Sequence, residues 1–256
     1  YKELAPYFKT FGTYCSSEKK FKSNKHFVNY NFEDDDIVQL LNVLKPDVII
    51  SALRGAFAHQ LIVHQHLFQY AKANKKVRII YLSSSNVFDA YSKYPSYEND
   101  TTLSNSIYGH FKIRVEQQLL KLPKKQIVIL RLPMVFGIRS PRVQELKTLH
   151  ELDEFIELFP NLIMNVCWDS KITQLVHYMI NRNKYGIYHC GSSDLVPHED
   201  FIKDLMRVLR LNHSKYKFVY TTNDERYLAV IPKYNTLPKH LLFESSSLFE
   251  EIKRSY

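Results

Sequence analysis

Arg78-Ile-Ile-Tyr-Leu-Ser-Ser-Ser85, followed by Tyr108-Gly-His-Phe-Lys112, is the part of the chain from which the fold reads outward. Residues 77–83 form a short continuous apolar run ending in serines, as expected of a strand buried on both faces of a parallel sheet. Residues 106–122 carry a helical pattern. Upstream, Asp47-Val-Ile-Ile-Ser-Ala-Leu53 repeats the buried-strand signature, and residues 56–74 predict a helix. Residues 34–44 predict a helix with acids at its start and apolar residues at helical spacing. Residues 11–16 and 26–32 predict two further strands. Downstream, residues 126–135 predict another strand. Repeated strand–helix alternation predicts an α/β fold, a doubly wound, Rossmann-like parallel sheet. Ligands of such sheets bind beyond the carboxyl ends of the strands, where Ser83 to Ser85 fall.

After Gly137 the pattern loosens. Arg139-Ser-Pro-Arg142 reads as a loop. Residues 149–158, 171–181 and 198–211 read as helices, and 216–221 as a short strand. The expected organisation is therefore a dinucleotide-binding core over 1–137 and a smaller substrate lobe over 138–256 that also returns elements to the core. No Gly/Ser-rich linker, internal repeat or low-complexity tract interrupts the chain.

Tyr108 and Lys112 are four residues apart, so one helix places both on the same face. A lysine cation about 5 Å from a phenol contributes roughly 3 kcal/mol at an effective dielectric of 20, lowering the phenol pKa by about two units. That is the proton-transfer half of a carbonyl reductase. Ser84, at the end of the neighbouring strand, is placed to hold the carbonyl oxygen.

Leu82-Ser-Ser-Ser-Asn-Val-Phe-Asp89, Tyr97-Glu-Asn-Asp100, Asn105-Ser-Ile-Tyr-Gly-His-Phe-Lys112 and Glu116 together resemble the extended short-chain dehydrogenase/reductases. The likeness is greatest to dTDP-4-dehydrorhamnose reductases, with their S-T-D-Y-V-F-D-G strand end, E-x-D and Y-G-x-x-K. Ile129-Leu-Arg-Leu-Pro-Met-Val-Phe-Gly137 and Gly186-Ile-Tyr-His-Cys-Gly191 resemble later strands of that family. The resemblance extends to about Leu242 and is specific in the middle third. It implies catalytic roles for Ser84, Tyr108 and Lys112, and a substrate-facing position for Ser85 and Asn86. Ser84 stands where the family has Thr, and Asn86 where it has Tyr. It further implies that Asn31 and Phe32 lie near adenine, and Ser51, Ala52 and Leu53 near the middle of the cofactor.

None of the six glycines belongs to a G-x-G-x-x-G or G-x-x-G-x-x-G run. Such a run lets the backbone approach a cofactor pyrophosphate at a helix N-terminus. Residues 1–12 look like the back half of a first helix. The favoured expectation is that the numbered sequence starts inside the protein, the first strand and glycine loop being missing; the alternative is a protein without the finger.

Cofactor choice follows from the end of the second expected strand. Ser16, Ser17, Lys19 and Lys20 suit a ribose 2′-phosphate better than a free 2′-hydroxyl, which favours NADP(H), with NAD as the alternative. Arg139 and Arg142 stand where the substrate loop of the family begins, and their guanidinium forks suit a pyrophosphate.

The formal charge of +9 is spread over lysine clusters at 19–22, 72–76 and 121–125. No nucleic-acid motif accompanies them, so the expectation is a solvated basic surface receptive to small anions. Cys15, Cys167 and Cys190 are too dispersed for a disulfide framework or a zinc site. His59 and His66 share a helix face that His64 does not, so these histidines read as ordinary helix surface and no metal is expected. Trp168 reads as core. Arg131 reads either as the partner of a core acid or as a substrate-positioning group. No apolar run reaches membrane-spanning length and no signal peptide is visible, so a cytoplasmic protein is expected, without membrane or nucleic-acid partners. A homodimer is left open.

Together these readings predict an NADPH-dependent reductase of a nucleotide-linked 4-keto-6-deoxysugar. The alternatives are a sugar-nucleotide epimerase or dehydratase of the same fold, and a non-catalytic regulatory or scaffold subunit that kept the fold.

Overall fold

The computed structural model describes residues 1–16 and 18–254. The chain divides into two compact units that interleave along the sequence. The first comprises Tyr1–Leu82, Arg114–Ile129 and Val176–Gly186; the second comprises Ser83–Ile113, Leu130–Leu175 and the residues from Ile187 onward.

In the first unit, strands Gly12–Tyr14 and Phe27–Asn29 pair in parallel, Gly12 opposite Phe27. The helix Ile37–Leu44 begins where the acidic run predicts it. Asp36 caps it, its side chain accepting the Val38 amide at 2.8 Å. It ends at Lys45, whose φ of 45° turns the chain out of the helix. Strand Val48–Ser51 pairs in parallel with Arg78–Tyr81, and helix Phe57–Ala73 connects them. Strands Val48–Ser51, Arg78–Ser84, Ile127–Leu132 and Gly186–His189 form one four-stranded sheet, with Gly186–His189 at one edge and Val48–Ser51 at the other. All six residues of Ile127–Leu132 are buried, as a strand covered on both faces requires. Gln126 ties the turn before this strand to the core. Its side-chain amide donates to the carbonyls of Ala71 and Val77 at 2.8 and 2.9 Å.

Two expectations change here. Residues 2–7 are a series of turns rather than a regular helix, although the Ala5 and Phe8 amides bond back to Tyr1 and Leu4. Pro6 has no amide proton to continue the ladder. His64 is buried, not on the helix surface. Its Nε2 lies 2.8 Å from Ser51 Oγ and its Nδ1 2.6 Å from the Gln60 carbonyl, so both ring nitrogens are occupied inside the unit.

The second unit has its own core. Helix His198–Val208 buries Phe201, Ile202, Leu205 and Met206 at helical spacing. They pack with Phe136, Val143, Ile156, Leu158 and Trp168. Trp168 is core, as expected, and its indole N–H donates to Glu251 at 2.8 Å, so its burial leaves no donor unmatched. Strand Met134–Phe136 pairs in parallel with Val166–Trp168, and Phe155–Leu158 with Lys215–Phe218. Strand Leu162–Met164 lies between Val196–Pro197 and Arg226–Leu228.

The expected helix over 149–158 is displaced. The helix is Pro141–Glu151, and Phe155–Leu158 is a strand with alternating burial. Ser140 caps the helix, Pro141 occupies its first position, and Asp153, at φ 55°, ends it. Serine then proline is a helix-start signal rather than a loop signal. Arg142 therefore stands in the first turn of a helix, not in a loop.

Candidate active site

The second unit contains the strand end, the helix start and the groups that join them. Ser84 closes strand Arg78–Ser84, and a short 3₁₀ turn, Ser85–Phe88, follows. Ser84 Oγ accepts the Asn86 amide at 3.2 Å and lies 3.0 Å from Asn86 Oδ1. It also hydrogen-bonds the Tyr108 hydroxyl.

Tyr108 begins the second position of helix Ile107–Leu119, whose start is held by a built cap. Ser106 Oγ accepts the Gly109 amide at 3.0 Å and donates to Asp89 at 2.5 Å. Asp89 also accepts the Asn105 amide at 2.6 Å. Burial pushes the Asp89 carboxyl up, but hydrogen bonds from Ser106, Ser104, Asn105 and Asn86 outweigh it and hold the group below the usual carboxylate range. Gly109 lets this helix start approach the strand end. A Cβ there would collide with Ser104 Oγ and the Asn86 carbonyl oxygen. The glycine of Tyr-Gly-x-x-Lys thus has a packing reason in this chain.

Lys112, one turn beyond Tyr108, is buried at 7% exposure, and its Nζ lies 5.5 Å from the centroids of both the Tyr108 and Phe111 rings. Tyr108 itself keeps 39% of its surface exposed, so its phenol faces an accessible space. The direction of its acidity corrects the sequence reading. Burial raises the Tyr108 pKa above the ordinary phenol value, and the Ser84 hydrogen bond and the Arg142 charge lower it only in part. The charge of Arg142, in the first turn of the next helix, acts on the phenol and favours its ionised form. A raised pKa keeps the hydroxyl protonated at neutral pH, the form a proton donor needs.

Of the residues expected from sequence, Ser84, Asn86, Tyr108, Lys112 and Arg142 are brought together in this unit. Ser85 is buried beside them in the 3₁₀ turn. Arg139 is exposed and forms no hydrogen bond or ion pair among the described residues. Arg131 is buried. Its guanidinium donates to the Glu98 carbonyl at 3.0 Å, stacks 4.7 Å from the Phe88 ring centroid, and approaches His189 at 3.5 Å. The Glu98 carboxylate accepts the amides of Lys233, Tyr234 and Asn235. Arg131 therefore belongs to a buried network in which its printed bond to Glu98 is made to the backbone carbonyl.

The remaining expected residues lie in the first unit. Ser16, Lys19 and Lys20 are exposed after the first strand; Ser17 lies outside the described residues. Asn31 turns the chain into the next helix, its amide donating to Asp35 at 2.7 Å and its side chain to Asp34 at 2.5 Å. The Phe32 ring lies 2.8 Å from where a Cβ on Gly55 would stand, and Gly55 has φ 135°, so glycine is required there on both counts. Ser51 is buried with its hydroxyl held by His64, Leu53 is partly buried and Ala52 is exposed. The positioning groups Asp89 and Ser104 were not singled out from sequence. The signal was Asn105-Ser106 ahead of a helical run, an N-cap pattern whose acid partner stands 17 residues earlier in the chain.

The fold is a Rossmann-type α/β fold, shared with solved dTDP-4-dehydrorhamnose reductases. A dTDP-4-dehydrorhamnose reductase from Clostridium acetobutylicum superposes with a TM-score of 0.71 at 18% identity, covering 96% of this chain and 99% of that one. The Bacillus anthracis dTDP-4-dehydrorhamnose reductase in complex with NADP superposes with a TM-score of 0.71 at 18% identity, covering 89% and 88%. The chain belongs to the RmlD substrate binding domain family, whose sequence model matches residues 54–242. In sequence it is also similar to a dTDP-4-keto-6-deoxy-D-glucose reductase of Streptomyces niveus, 23% identical over 137 residues. That alignment takes in 53% of this chain and 48% of the relative, so the chain spans about half the length of the relative it matches.

Proposed function

We propose that this chain is a reductase of a nucleotide-linked 4-keto-6-deoxysugar that uses NADPH. The observation that carries the reading is the hydrogen bond between Ser84 and Tyr108 beside the buried Lys112, in a chain of this family. In this reading Ser84 orients the carbonyl oxygen of the substrate and Tyr108 donates a proton to that oxygen as it becomes an alkoxide. Lys112 supplies fixed positive charge at the Tyr108 ring and hydrogen-bonds the ribose next to the nicotinamide. Ser85, Asn86, Arg139 and Arg142 are the proposed substrate contacts. The cofactor, when bound, supplies the hydride.

The residues of the first unit fit the phosphorylated end of such a cofactor. Glu18 is paired with Lys22 at 2.7 Å, and among the described residues Lys19 and Lys20 have no carboxylate partner. They are therefore available, with Ser16, to a 2′-phosphate, and Ser17 is proposed as a further contact from the sequence alone. Asn31, Phe32, Ser51, Ala52 and Leu53 remain the proposed contacts of its adenine and central portion. Because Ser51 Oγ is held by His64, its contribution is expected through the backbone. Among the described residues no helix is long and apolar enough to cross a membrane. A cytoplasmic site of action and a homodimer complete the proposal.

Tyr108→Phe tests it. The change should lower kcat by about 10²- to 10⁴-fold, the usual contribution of a positioned acid, while NADPH affinity stays within about twofold. Wild-type turnover in that variant would remove Tyr108 from the reaction.

A further inference from the structure

The lysine clusters at 72–76 and 121–125 take no part in the candidate site, and the fold draws them together at one pole of the first unit. Four turns meet there, each leading into a strand of the four-stranded sheet. Lys45 stands in the first, before Val48–Ser51. Lys75 and Lys76 stand in the second, before Arg78–Ser84, with Lys72 in the last turn of the preceding helix. Lys121, Lys124 and Lys125 precede Ile127–Leu132, and Arg182 and Lys184 precede Gly186–His189. Hydrogen bonds fasten these turns to one another. The Arg78 amide donates to the Asp47 carbonyl at 2.9 Å, joining the second turn to the first. The Gln126 side chain joins the third to the second through the Ala71 and Val77 carbonyls. The Arg78 guanidinium donates to Asn183 Oδ1 at 3.3 Å, to the Met179 carbonyl at 3.2 Å and to the Lys184 carbonyl, joining the fourth. Lys124 Nζ also lies 5.6 Å from the Tyr185 ring centroid.

Against these cations the four turns carry one carboxylate, Asp47. Lys184 is half-buried, the other cations are exposed, and among the described residues none of them forms an ion pair. Helix dipoles do not account for them. A cation in the last turn of a helix stabilises its carbonyl end, but Lys72 is the one cation in the last turns of the helices that lead into this pole. Cations so crowded repel one another until an anionic partner or counter-ions relieve them. Exposed apolar side chains stand among them, namely Val43, Leu120 and Tyr185. All but one of the cations are lysines. An ammonium is a hydrated point charge without the fork that grips a single phosphate, so the patch suits negative charge spread over a plane. Apolar side chains interleaved with lysines suit a bilayer interface, where the hydrocarbon enters the headgroup region and the ammonium groups stay at phosphate level. A nucleic acid or an acidic polypeptide offers no apolar layer for Val43 and Leu120.

We propose that this pole of the first unit is a docking surface for the face of an anionic lipid bilayer. The contact is peripheral and electrostatic, so it needs no membrane-spanning helix, and it replaces the expected absence of a membrane partner. It is independent of the proposed reaction, since none of these residues belongs to the candidate active site or to the proposed cofactor contacts.

The test is sedimentation of the full chain with vesicles of phosphatidylglycerol and phosphatidylcholine in equal parts, and with vesicles of phosphatidylcholine alone. Wild type should bind the anionic vesicles at low salt, leave them as rising ionic strength screens the charges, and ignore the neutral vesicles. A lysine at such a surface contributes a factor of about five, so Lys121→Gln, Lys124→Gln and Lys125→Gln combined should weaken partition by about 100-fold. The same loss of charge in the second unit, through Lys203→Gln, Lys215→Gln and Lys217→Gln, should cost less than about threefold, because each of these lysines is already paired with a carboxylate. Leu120→Ser with Tyr185→Ser should lower vesicle partition by about tenfold and leave retention on heparin unchanged. Wild-type protein that stays in solution with anionic vesicles overturns the proposal, as does equal binding to neutral ones. So does a second-unit triple variant that loses as much as the first. A Leu120→Ser, Tyr185→Ser protein that melts like wild type and keeps its vesicle partition overturns it too, leaving a surface for polyanions in general.

Discussion

At the scale of the residue, Tyr108 is defined by the groups around it. Its hydroxyl is engaged by Ser84, and burial holds it above the ordinary phenol value of 10.0. A proton donor works only while protonated, so its contribution falls as pH rises through its pKa. The alkaline limb of the kcat profile should therefore lie above pH 10 for reduction, and a limb near neutrality would identify another group as the acid. Gly109 is the second residue-scale test. Gly109→Ala forces a methyl group against Ser104 and the Asn86 backbone, a strain of about 1–3 kcal/mol. The variant should melt earlier and lose activity. An unaltered melting curve would show that the strand end yields easily. The placing of Tyr108 and Lys112 one turn apart on a single helix was legible in the sequence, because residues four apart share a helix face. Arg142 as a charge acting on Tyr108 was not, because that proximity depends on where the next helix starts.

At the scale of the element, the decisive piece is the start of helix Ile107–Leu119, where Ser106 caps the backbone and Asp89 holds Ser106 and Asn105. Asp89→Asn removes a charge-assisted cap and should cost about 1–2 kcal/mol. The folded-state carboxyl lies below its ordinary value, so its stabilisation is present above about pH 4 and lost as pH falls through the lower folded value. In urea melts the wild-type and Asp89→Asn stabilities should therefore differ at pH 7 and converge below pH 4; a constant gap would exclude the charge as the cause. Elements were readable from sequence wherever one residue pattern fixed them. Arg78–Ser84 and Ile127–Leu132 are continuous apolar runs, and Asp36 announces its helix. Phe155–Leu158, Leu162–Met164 and Arg226–Leu228 were missed, since three- or four-residue strands stabilised by distant partners leave too little local pattern.

At the scale of the molecule, charge and burial set the response to solution conditions. His189 and His198 are buried with pKa values lowered to about 4, in both cases by burial first and then by neighbouring arginine charge. An unfolded histidine takes up a proton near its reference pKa of 6.5, whereas these two stay neutral down to about 4. The unfolded state thus binds more protons across that interval, and stability falls with falling pH between the two values. Replacing His189 with glutamine should flatten this part of the Tm profile; an unchanged slope would mean that the histidine is not buried in solution. The basic surface, with a net charge of +9, was legible at once. The burial of His198 against Phe159 was not, because 39 residues of sequence separate two groups that only distant strand pairing brings together.

The most direct measurement is single-turnover oxidation of NADPH by a nucleotide-linked 4-keto-6-deoxysugar, followed in wild type and in Tyr108→Phe. Stoichiometric NADP⁺ release by wild type, slowed by about 10²- to 10⁴-fold in the variant with the NADPH dissociation constant unchanged, is the predicted result. Equal rates in the two proteins, or wild-type turnover of the sugar without net NADPH loss, would contradict the account.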